Sequence, residues 1–258
     1  MERYKLILAY DGTHFQGFQR QGLTRTVQSE LENALRRLGW DGKSILSSGR
    51  TDTGVHASGQ VIAFDMDWAH SPADLANALN ANLPEDVVIQ QAHVARKGFH
   101  PRYDAVERAY RYRIYLAEQR DPLREPFAWR IPPGVDVKLL GQAASLLPGN
   151  HDFAAFGNPP IKGGSTTRHI YRAEWSADGD ELVFEVRGNA FLYHMVRRLV
   201  FTLVQVGQKR LQMEDFAAAV RETRPLPPGL APAHGLVLLE VRYAANRQEA
   251  VRLIKTLL

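Results

Sequence analysis

Apolar residues recur in regular patterns along the first hundred positions of the chain. Short alternating or apolar runs are typical of strands, whereas apolar residues three or four positions apart are typical of a helix. Ser71 followed by Pro72 and Asp74 is the pattern of a capped helix start. The predicted elements are a strand over Lys5–Tyr10, a helix through Val27, Leu31, Leu35 and Leu38, a strand over Val61–Asp67, a helix from Ser71 to about Leu79, and a strand over Val87–Ala95.

The rest of the chain repeats this mixture of helices and strands. The predicted elements are strands over Tyr110–Leu116, Ile170–Trp175, Leu182–Val186 and Leu236–Val241, and helices over Val137–Leu147, Phe191–Val206 and Gln248–Leu257. A loop over Phe153–Thr167, rich in Gly, Pro and Ser, is longer than a simple connection requires and is therefore a candidate for substrate contact.

The order of these elements indicates the fold class. The strands are not uniformly apolar and do not alternate regularly with helices, which favours an α+β fold with a largely antiparallel sheet. The 258 residues exceed the usual size of one domain. We therefore expect two α/β lobes, an N-terminal lobe over residues 1–105 and a C-terminal lobe over residues 106–258.

Composition removes several classes of protein. Apolar residues make up 45% and charged residues 23% of the chain, which is ordinary for a globular protein and argues against a disordered or fibrous one. The absence of cysteine excludes disulfides, thiolate metal sites and cysteine nucleophiles. The sequence shows no signal-peptide pattern and no apolar run long enough to span a bilayer, so we expect a cytoplasmic location.

The net charge of +4 comes from one window of the sequence. Residues 95–130 hold nine Lys and Arg against five Asp and Glu, which is the whole excess. Arginine alternates with tyrosine near Arg108, Arg111 and Arg113, and this combines charge for phosphates with surfaces for stacking. A nucleic acid is therefore the leading candidate partner. The alternative is a surface strand with solvated arginines, and the window alone does not decide between the two.

The string Gly49–Ala57 is the most unusual one in the chain. Two glycines bracket a short polar loop just before a predicted strand, and Arg50 and His56 favour the ionised form of Asp52. A carboxylate held beside a cation in a cleft can act as nucleophile or base, whereas the alternative is an ordinary turn aspartate. Asp52-Thr53-Gly54 also matches the aspartic-protease triplet, but that mechanism needs a second triplet, and the chain has none.

The sequence gives no support for a metal or a nucleotide cofactor. Asp65 and Asp67 share one face of a predicted strand, but without a glutamate cluster nearby they are better explained as two solvated carboxylates than as a Mg²⁺ site. The histidines have no zinc-ligand spacing, and no phosphate-binding loop or dinucleotide fingerprint is present. We therefore expect a reaction without cofactor or metal.

Two arginines lie inside the first turns of the apolar helix predicted over Phe191–Val206. An arginine that faces the interior of such a helix needs a carboxylate partner, and Asp52 is a candidate partner for Arg197. The alternative is that Arg197 and Arg198 extend to solvent at the polar edge of the helix.

Several short motifs follow one another along nearly the whole chain. They are Tyr10-Asp11-Gly12-Thr13, Gln19-Arg20-Gln21, Thr26-Val27-Gln28, Gly49 to Ala57, Gly59-Gln60-Val61, Phe99-His100, Arg108 to Tyr112, Gly188 to Phe191, His194 to Arg197, and Ala231 to Leu236. In this order they resemble the motifs of the TruA family of tRNA pseudouridine synthases. Several separate motifs in the right order are far more specific than any one of them alone.

The resemblance implies a fold, a reaction and a set of site residues. It implies two α/β lobes sharing a largely antiparallel central sheet with the catalytic cleft between them, a homodimer, no cofactor or metal, and uridines 38, 39 and 40 of the tRNA anticodon stem-loop as targets. By position in the motifs, Asp52 matches the catalytic aspartate, Tyr110 the active-site tyrosine, and Arg197 the basic residue that pairs with the aspartate. Arg50 is expected to help hold the flipped nucleotide. Further RNA contacts are expected from Gln19, His56, Arg108, Arg111, Asn189 and Phe191.

Two positions depart from the family pattern, since Thr53 stands where alanine is usual and Phe18 where tryptophan is usual. Neither change alters the carboxylate, although Phe18 can change an RNA contact. Two other function classes remain: an RNA-binding module without chemistry, and a hydrolase that releases free uracil. The sequence also leaves open whether Asp52 attacks C1′ or removes the proton from C2′.

Overall fold

The computed structural model describes residues 1–244, so the helix expected over Gln248–Leu257 lies outside the described residues. The described chain divides into two compact units. Unit 1 comprises residues 1–105 and 237–244, and unit 2 comprises residues 106–236.

Ten strands and five α-helices lie within residues 1–244. In chain order they are β1 (Glu2–Tyr10), α1 (Val27–Arg37), β2 (Leu46–Ser47), β3 (His56–Met66), α2 (Pro72–Asn80), β4 (Val87–Ala95), β5 (Ala105–Leu116), β6 (Trp129–Ile131), α3 (Val137–Ala144), β7 (Gly149–Asp152), β8 (Thr167–Asp178), β9 (Glu181–Gly188), α4 (Met195–Gly207), α5 (Met213–Glu222) and β10 (Leu236–Tyr243).

The sheet of unit 1 is mostly antiparallel. Strand β1 pairs antiparallel with β4 on one side and with β3 on the other, and the short β2 also pairs antiparallel with β3. Strand β10 joins β3 in parallel, with Val237 opposite His56. Every second side chain of β1 is buried from Tyr4 to Tyr10, which is the alternation expected of a strand with one face on a core.

The helices of unit 1 begin at side-chain caps that the sequence encodes. Thr26 caps α1 through Ser29, and Ser71 caps α2 through Asp74, so that both helices start with a capping box. Pro72 occupies the first turn of α2, where its missing N–H has no helical partner in any case. The buried face of α1 carries Val27, Leu31, Ala34 and Leu35.

The strands of unit 2 are also mostly antiparallel and are covered by helices. Strand β9 pairs antiparallel with β5 and β8, β8 pairs antiparallel with β7, and the short β6 is parallel to β5. Leu182, Phe184 and Val186 of β9 are buried, and α4 contributes a run of buried apolar residues through Leu203. Helix α3 contacts both α4 and β8. The prediction of an α+β fold with largely antiparallel sheet is therefore confirmed in each unit.

Most predicted elements are confirmed, with corrections at their ends. Helix α3 stops at Ala144 instead of Leu147, because the residues that follow make tighter turns back to Ala143 and Ala144. Helix α4 starts at Met195 instead of Phe191, because His194 adopts a left-handed backbone with φ 64°. Helix α5, β2, β6 and β7 were not predicted. No helix within residues 1–244 is long and apolar enough to cross a membrane.

Candidate active site

Asp52 lies in a tight turn between β2 and β3 of unit 1. The Val55 N–H donates to the Asp52 carbonyl oxygen at 3.1 Å, and Gly54 adopts a left-handed φ of 76° that a side chain would strain. Thr51 is buried, Asp52 is half-buried and Thr53 is exposed. The turn therefore holds its backbone against the unit and leaves part of the Asp52 side chain accessible.

The last residue of β1 and the segment that follows it contact the Asp52 turn. The Tyr10 hydroxyl and Thr51 Oγ1 are 2.8 Å apart in a buried hydrogen bond, and the Phe18 N–H donates to the Thr51 carbonyl oxygen at 3.1 Å. A Cβ on Gly17 would lie 3.0 Å from the Thr51 carbonyl oxygen. The residue before Asp52 is thus fixed through both its side chain and its backbone, and this support was not foreseen from the sequence.

Val55, at the end of the Asp52 turn, contacts the segment after β1 at Gly12. A Cβ on Gly12 would overlap the carbonyl oxygen of Val55, so only glycine allows this approach. Nδ1 of the buried His56 lies 3.0 Å from the Gly12 nitrogen and 3.0 Å from Asp11 Oδ1. A neutral Nδ1 accepts from Gly12, whereas a protonated one donates to Asp11. His56 therefore anchors the start of β3 to the turn that follows β1.

The charge state of Asp11 is fixed by its neighbours. Partial burial alone raises the pKa of its carboxyl group, but hydrogen bonds from the Thr13 hydroxyl and N–H, together with nearby His56, outweigh burial and lower it. The carboxylate beside His56 is therefore ionised at neutral pH.

An ion pair between Arg20 and a buried carboxylate ties the segment that carries Gln19 to α1. The Arg20 guanidinium bonds the fully buried Glu32 carboxylate, and the Arg20 N–H donates to Gln28 Oε1 at 3.0 Å. Glu32 also accepts from Gln28 Nε2 at 2.8 Å and from the Ile45 N–H at 3.2 Å. Gln19 itself is half-buried. The burial of Glu32 was not foreseen from the sequence.

In unit 2 the tyrosine singled out by the sequence meets an aromatic partner. The rings of Tyr110 on β5 and Phe191, which precedes α4, lie edge to face with centroids 5.1 Å apart and an interplanar angle of 81°. Both side chains are half-buried. The Tyr110 ring is therefore held in one orientation and keeps an accessible part.

Asn189 organises the turn between β9 and α4. Its N–H donates to the His169 carbonyl oxygen, and its side-chain oxygen accepts from the His169 N–H, both at 3.0 Å. Arg108 Nη1 donates to the Asn189 carbonyl oxygen at 2.7 Å. Three sequence-predicted residues, Arg108, Asn189 and Phe191, thus share one local structure around the end of β9.

The two arginines of α4 donate hydrogen bonds to the proline-rich stretch that follows α5. Arg197 Nε donates to the Ala231 carbonyl oxygen at 2.8 Å, and Arg198 donates to the carbonyl oxygens of Gly229 and Leu226 at 2.7 and 3.0 Å. Burial lowers the pKa of Arg198, which remains a cation at neutral pH. Backbone carbonyl oxygens of this stretch therefore satisfy the Arg198 guanidinium.

The arginines of β5 differ sharply in their surroundings from Arg50. Arg111 pairs with Glu185 at 2.6 Å and Arg113 pairs with Glu181 at 2.6 Å, each across to β9. Arg50, beside Asp52 in unit 1, is exposed, and no hydrogen bond or ion pair holds it within residues 1–244. Also within that part of the chain, no group of three or more His, Cys, Asp or Glu is arranged to hold a metal.

Comparison with known proteins identifies close relatives of this chain. A family model described as tRNA pseudouridine synthase matches residues 6–104 and 143–244. A tRNA pseudouridine synthase A of Geobacillus kaustophilus is 42% identical over 245 residues, which cover 94% of this chain and 95% of the relative. A tRNA pseudouridine synthase A of Geobacter sulfurreducens is 39% identical over 244 residues, covering 94% of this chain and 100% of the relative.

Among solved structures, the chain is similar to part of a crystal structure of a Cbf5-Nop10-Gar1 complex. The TM-score is 0.34 and the sequence identity is 13%, and the match covers 78% of this chain and 45% of that chain.

Proposed function

The chain belongs to the tRNA pseudouridine synthase family, and we propose that it converts uridines 38, 39 and 40 of the tRNA anticodon stem-loop with Asp52 as its catalytic residue. Its activity is the isomerisation of uridine to pseudouridine in tRNA. The observation that carries the proposal is the match of the family model across the segment that contains the Asp52 turn.

The reaction moves one bond and leaves the composition of the uridine unchanged. The bond from C1′ to N1 breaks, the uracil turns within the site, C1′ bonds to C5, C5 loses its proton and N1 gains one. Because C1′ is enclosed in the RNA stack, the nucleotide must first leave the stack. A single carboxylate can serve, either by attacking C1′ or by removing the proton from C2′.

The surroundings of Asp52 support its assignment. The residues on both sides of Asp52 are fixed, Thr51 by Tyr10 and Phe18 and Val55 by its close contact with Gly12, so the side chain is positioned before substrate binds. We assign Asp52 the covalent or proton-transfer step on the ribose. The assignment fails if Asp52→Asn retains the turnover of the natural protein.

Tyr110 and Arg197 complete the proposed catalytic set. Tyr110 would stack on the uracil and assist the loss of the C5 proton, because its ring is held edge-on by Phe191 and carries a hydroxyl group. Full turnover by Tyr110→Phe would restrict it to stacking. Arg197 would orient the Asp52 carboxylate, so Arg197→Ala should lower kcat more than tRNA affinity. An equal loss in both would reassign it to phosphate contact.

The proposal includes the remaining contacts and the assembly. Arg50 would hold the flipped nucleotide, because it is an exposed cation next to Asp52. The further RNA-contacting residues are Gln19, His56, Arg108, Arg111, Asn189 and Phe191. A homodimer and a cytoplasmic location are also proposed, and equilibrium sedimentation of the purified protein tests the dimer.

Mapping of the product tests the target positions. Unmodified tRNA transcripts with uridine at position 38, 39 or 40 alone are incubated with the protein, and pseudouridine is located by carbodiimide adduct formation and primer extension. The proposal expects product at each of the three positions and none in a transcript in which all three are cytidine. Product in that control transcript would contradict the proposed site.

A further inference from the structure

An exposed pair of stacked rings precedes α4. The rings of Tyr193 and His194 lie nearly parallel, with centroids 3.7 Å apart and an interplanar angle of 29°. Tyr193 is 57% exposed, although it directly follows the buried Leu192 and lies two residues before the fully buried Met195. One face of a large ring is thus covered by histidine while much of the side chain is open to solvent.

The backbone around this pair is constrained. His194 has φ 64° and ψ 0°, a left-handed conformation that disfavours any residue with a Cβ. Its carbonyl oxygen accepts the Arg198 N–H at 3.0 Å, so the same residue begins the helical hydrogen bonds of α4. Strained residues of this kind persist where the surrounding structure determines them, and they cluster at functional sites.

A second segment fixes the position of Tyr193. The Tyr193 N–H donates to the Asn158 carbonyl oxygen at 2.9 Å, which forms an isolated bridge to the long loop after β7. A Cβ on Gly157 would lie 2.5 Å from the Tyr193 carbonyl oxygen, so the loop approaches the Tyr193 backbone closely. The ring therefore projects from a backbone held on both sides, and little conformational freedom would be lost when it binds a flat ligand.

A nearby aromatic residue connects this pair to the proposed uracil site. Phe191, two residues before Tyr193, packs edge to face against Tyr110. Removal of one nucleotide from an RNA stack deprives its neighbours of a stacking partner, and an aromatic ring can replace that partner for any base.

We infer that the Tyr193–His194 pair is a stacking subsite for an unpaired nucleobase of the substrate RNA next to the uridine that is isomerised. The inference rests on the proposed function for the identity of the ligand. Tyr193 provides the face that contacts the base, and His194 supports the opposite face of the tyrosine ring. The subsite contributes binding and does not take part in bond making.

An abasic scan combined with substitution tests the subsite. Affinity is measured for anticodon stem-loop RNAs that carry one abasic nucleotide at each loop position in turn. For the natural protein, we expect one position near the target at which the abasic RNA binds at least about 5-fold more weakly. Tyr193→Ala should bind the intact RNA more weakly by the same factor, and its affinity for that abasic RNA should be no lower still. Tyr193→Phe should bind as the natural protein does.

Controls separate stacking from general effects on the surface and fold. Leu123→Ala removes another highly exposed apolar side chain of unit 2 and should leave affinity unchanged. His194→Asn keeps a residue type that tolerates the left-handed backbone and should weaken binding less than Tyr193→Ala. Unchanged binding of the intact RNA by Tyr193→Ala, or an equal loss for that variant with every RNA, would overturn the inference.

Failure of the proposed function would have a different signature. In that case the natural protein forms no pseudouridine at positions 38 to 40, whatever the result of the abasic scan. The subsite alone would be refuted by a different pair of results. The natural protein would form pseudouridine, but the loss of affinity caused by Tyr193→Ala would add to the loss caused by every abasic nucleotide.

Discussion

The Asp52 turn of unit 1 and the arginine-rich strand β5 of unit 2 both stand out in the sequence, but their surroundings in the folded chain differ. The Asp52 turn is held through Thr51 by hydrogen bonds with the Tyr10 side chain and the Phe18 backbone, and the cation beside it, Arg50, has no ion-pair partner within residues 1–244. On β5, Arg111 and Arg113 each form a charged hydrogen bond with a glutamate of β9.

The difference shows that positive charge in a sequence window does not measure positive charge on a surface. Glu181 and Glu185 lie on the next strand, 68 and 74 residues further along the chain, and they neutralise cations that the window counted as excess. A charge that matters for RNA binding is one that the fold leaves without a nearby opposite charge. By this criterion Arg50 is a stronger candidate for RNA contact than Arg111.

The largest effect on stability and turnover is expected from a substitution at Gly12, which contacts the Asp52 turn. Gly12→Ala forces a Cβ against the Val55 carbonyl oxygen, so the turn must shift. We expect a loss of roughly 1–3 kcal/mol in the free energy of unfolding and of about 100-fold in kcat/KM, since small displacements of catalytic groups are costly. Urea unfolding and steady-state turnover measure the two effects.

Gly49→Ala is the matched control for that variant. Gly49 lies at the start of the same loop, has ordinary backbone angles, and has nothing within 4 Å of the position of a Cβ. It should keep nearly full stability and turnover. Equal losses for the two variants would show that the Gly12 contact does not position Asp52.

An intermediate effect is expected for the exposed cation. Arg50→Ala should weaken tRNA binding and reduce the slope of log affinity against log salt by about 0.7–0.9, because one phosphate contact is lost. The double variant Arg113→Gln with Glu181→Gln removes a neutral ion pair of β5 and β9 and should leave the slope unchanged. Filter binding between low and physiological salt distinguishes them, and an equal drop in slope would restore β5 as the main phosphate contact.

The smallest effect concerns stability in acid. The Arg113 hydrogen bond lowers the pKa of Glu181 in the folded state below its ordinary value of 4.5. Below pH 4.5 the unfolded chain therefore binds more protons than the folded chain, and the stabilisation is lost as pH falls through the folded pKa. Glu181→Gln should cost roughly 0.2–1 kcal/mol at pH 7. The difference in the free energy of unfolding between the natural protein and Glu181→Gln should shrink in acid. A constant difference from pH 7 to pH 3 would contradict the ion pair.

Elements encoded by local residues were predictable from the sequence. Strand β4 spans the predicted Val87–Ala95, and α2 starts at the predicted cap, because alternation and the Ser71 to Asp74 pattern act within a few residues. Helix α5 was missed because no side chain caps its start. The start of α4 was misplaced because His194 adopts a backbone conformation that the sequence does not indicate.

Long-range contacts account for what the sequence did not reveal of the site. The motif around Asp52 is visible in the residues, but the Tyr10 to Thr51 hydrogen bond joins positions 41 residues apart. The same holds for Arg197 and Ala231, which are 34 residues apart. Neither pairing follows from residue type or spacing, because both require the register of strands and loops that only the folded chain defines.

The central claim is that Asp52 carries the chemistry while the fold holds it in place. Tritium release from tRNA labelled at C5 of uridine measures the reaction directly, since C5 loses its hydrogen when it becomes the glycosidic carbon. The natural protein and the control Asp67→Asn, at an exposed carboxylate of unit 1, should release tritium, whereas Asp52→Asn should release none and still bind tRNA. Release by Asp52→Asn at the natural rate would contradict the account.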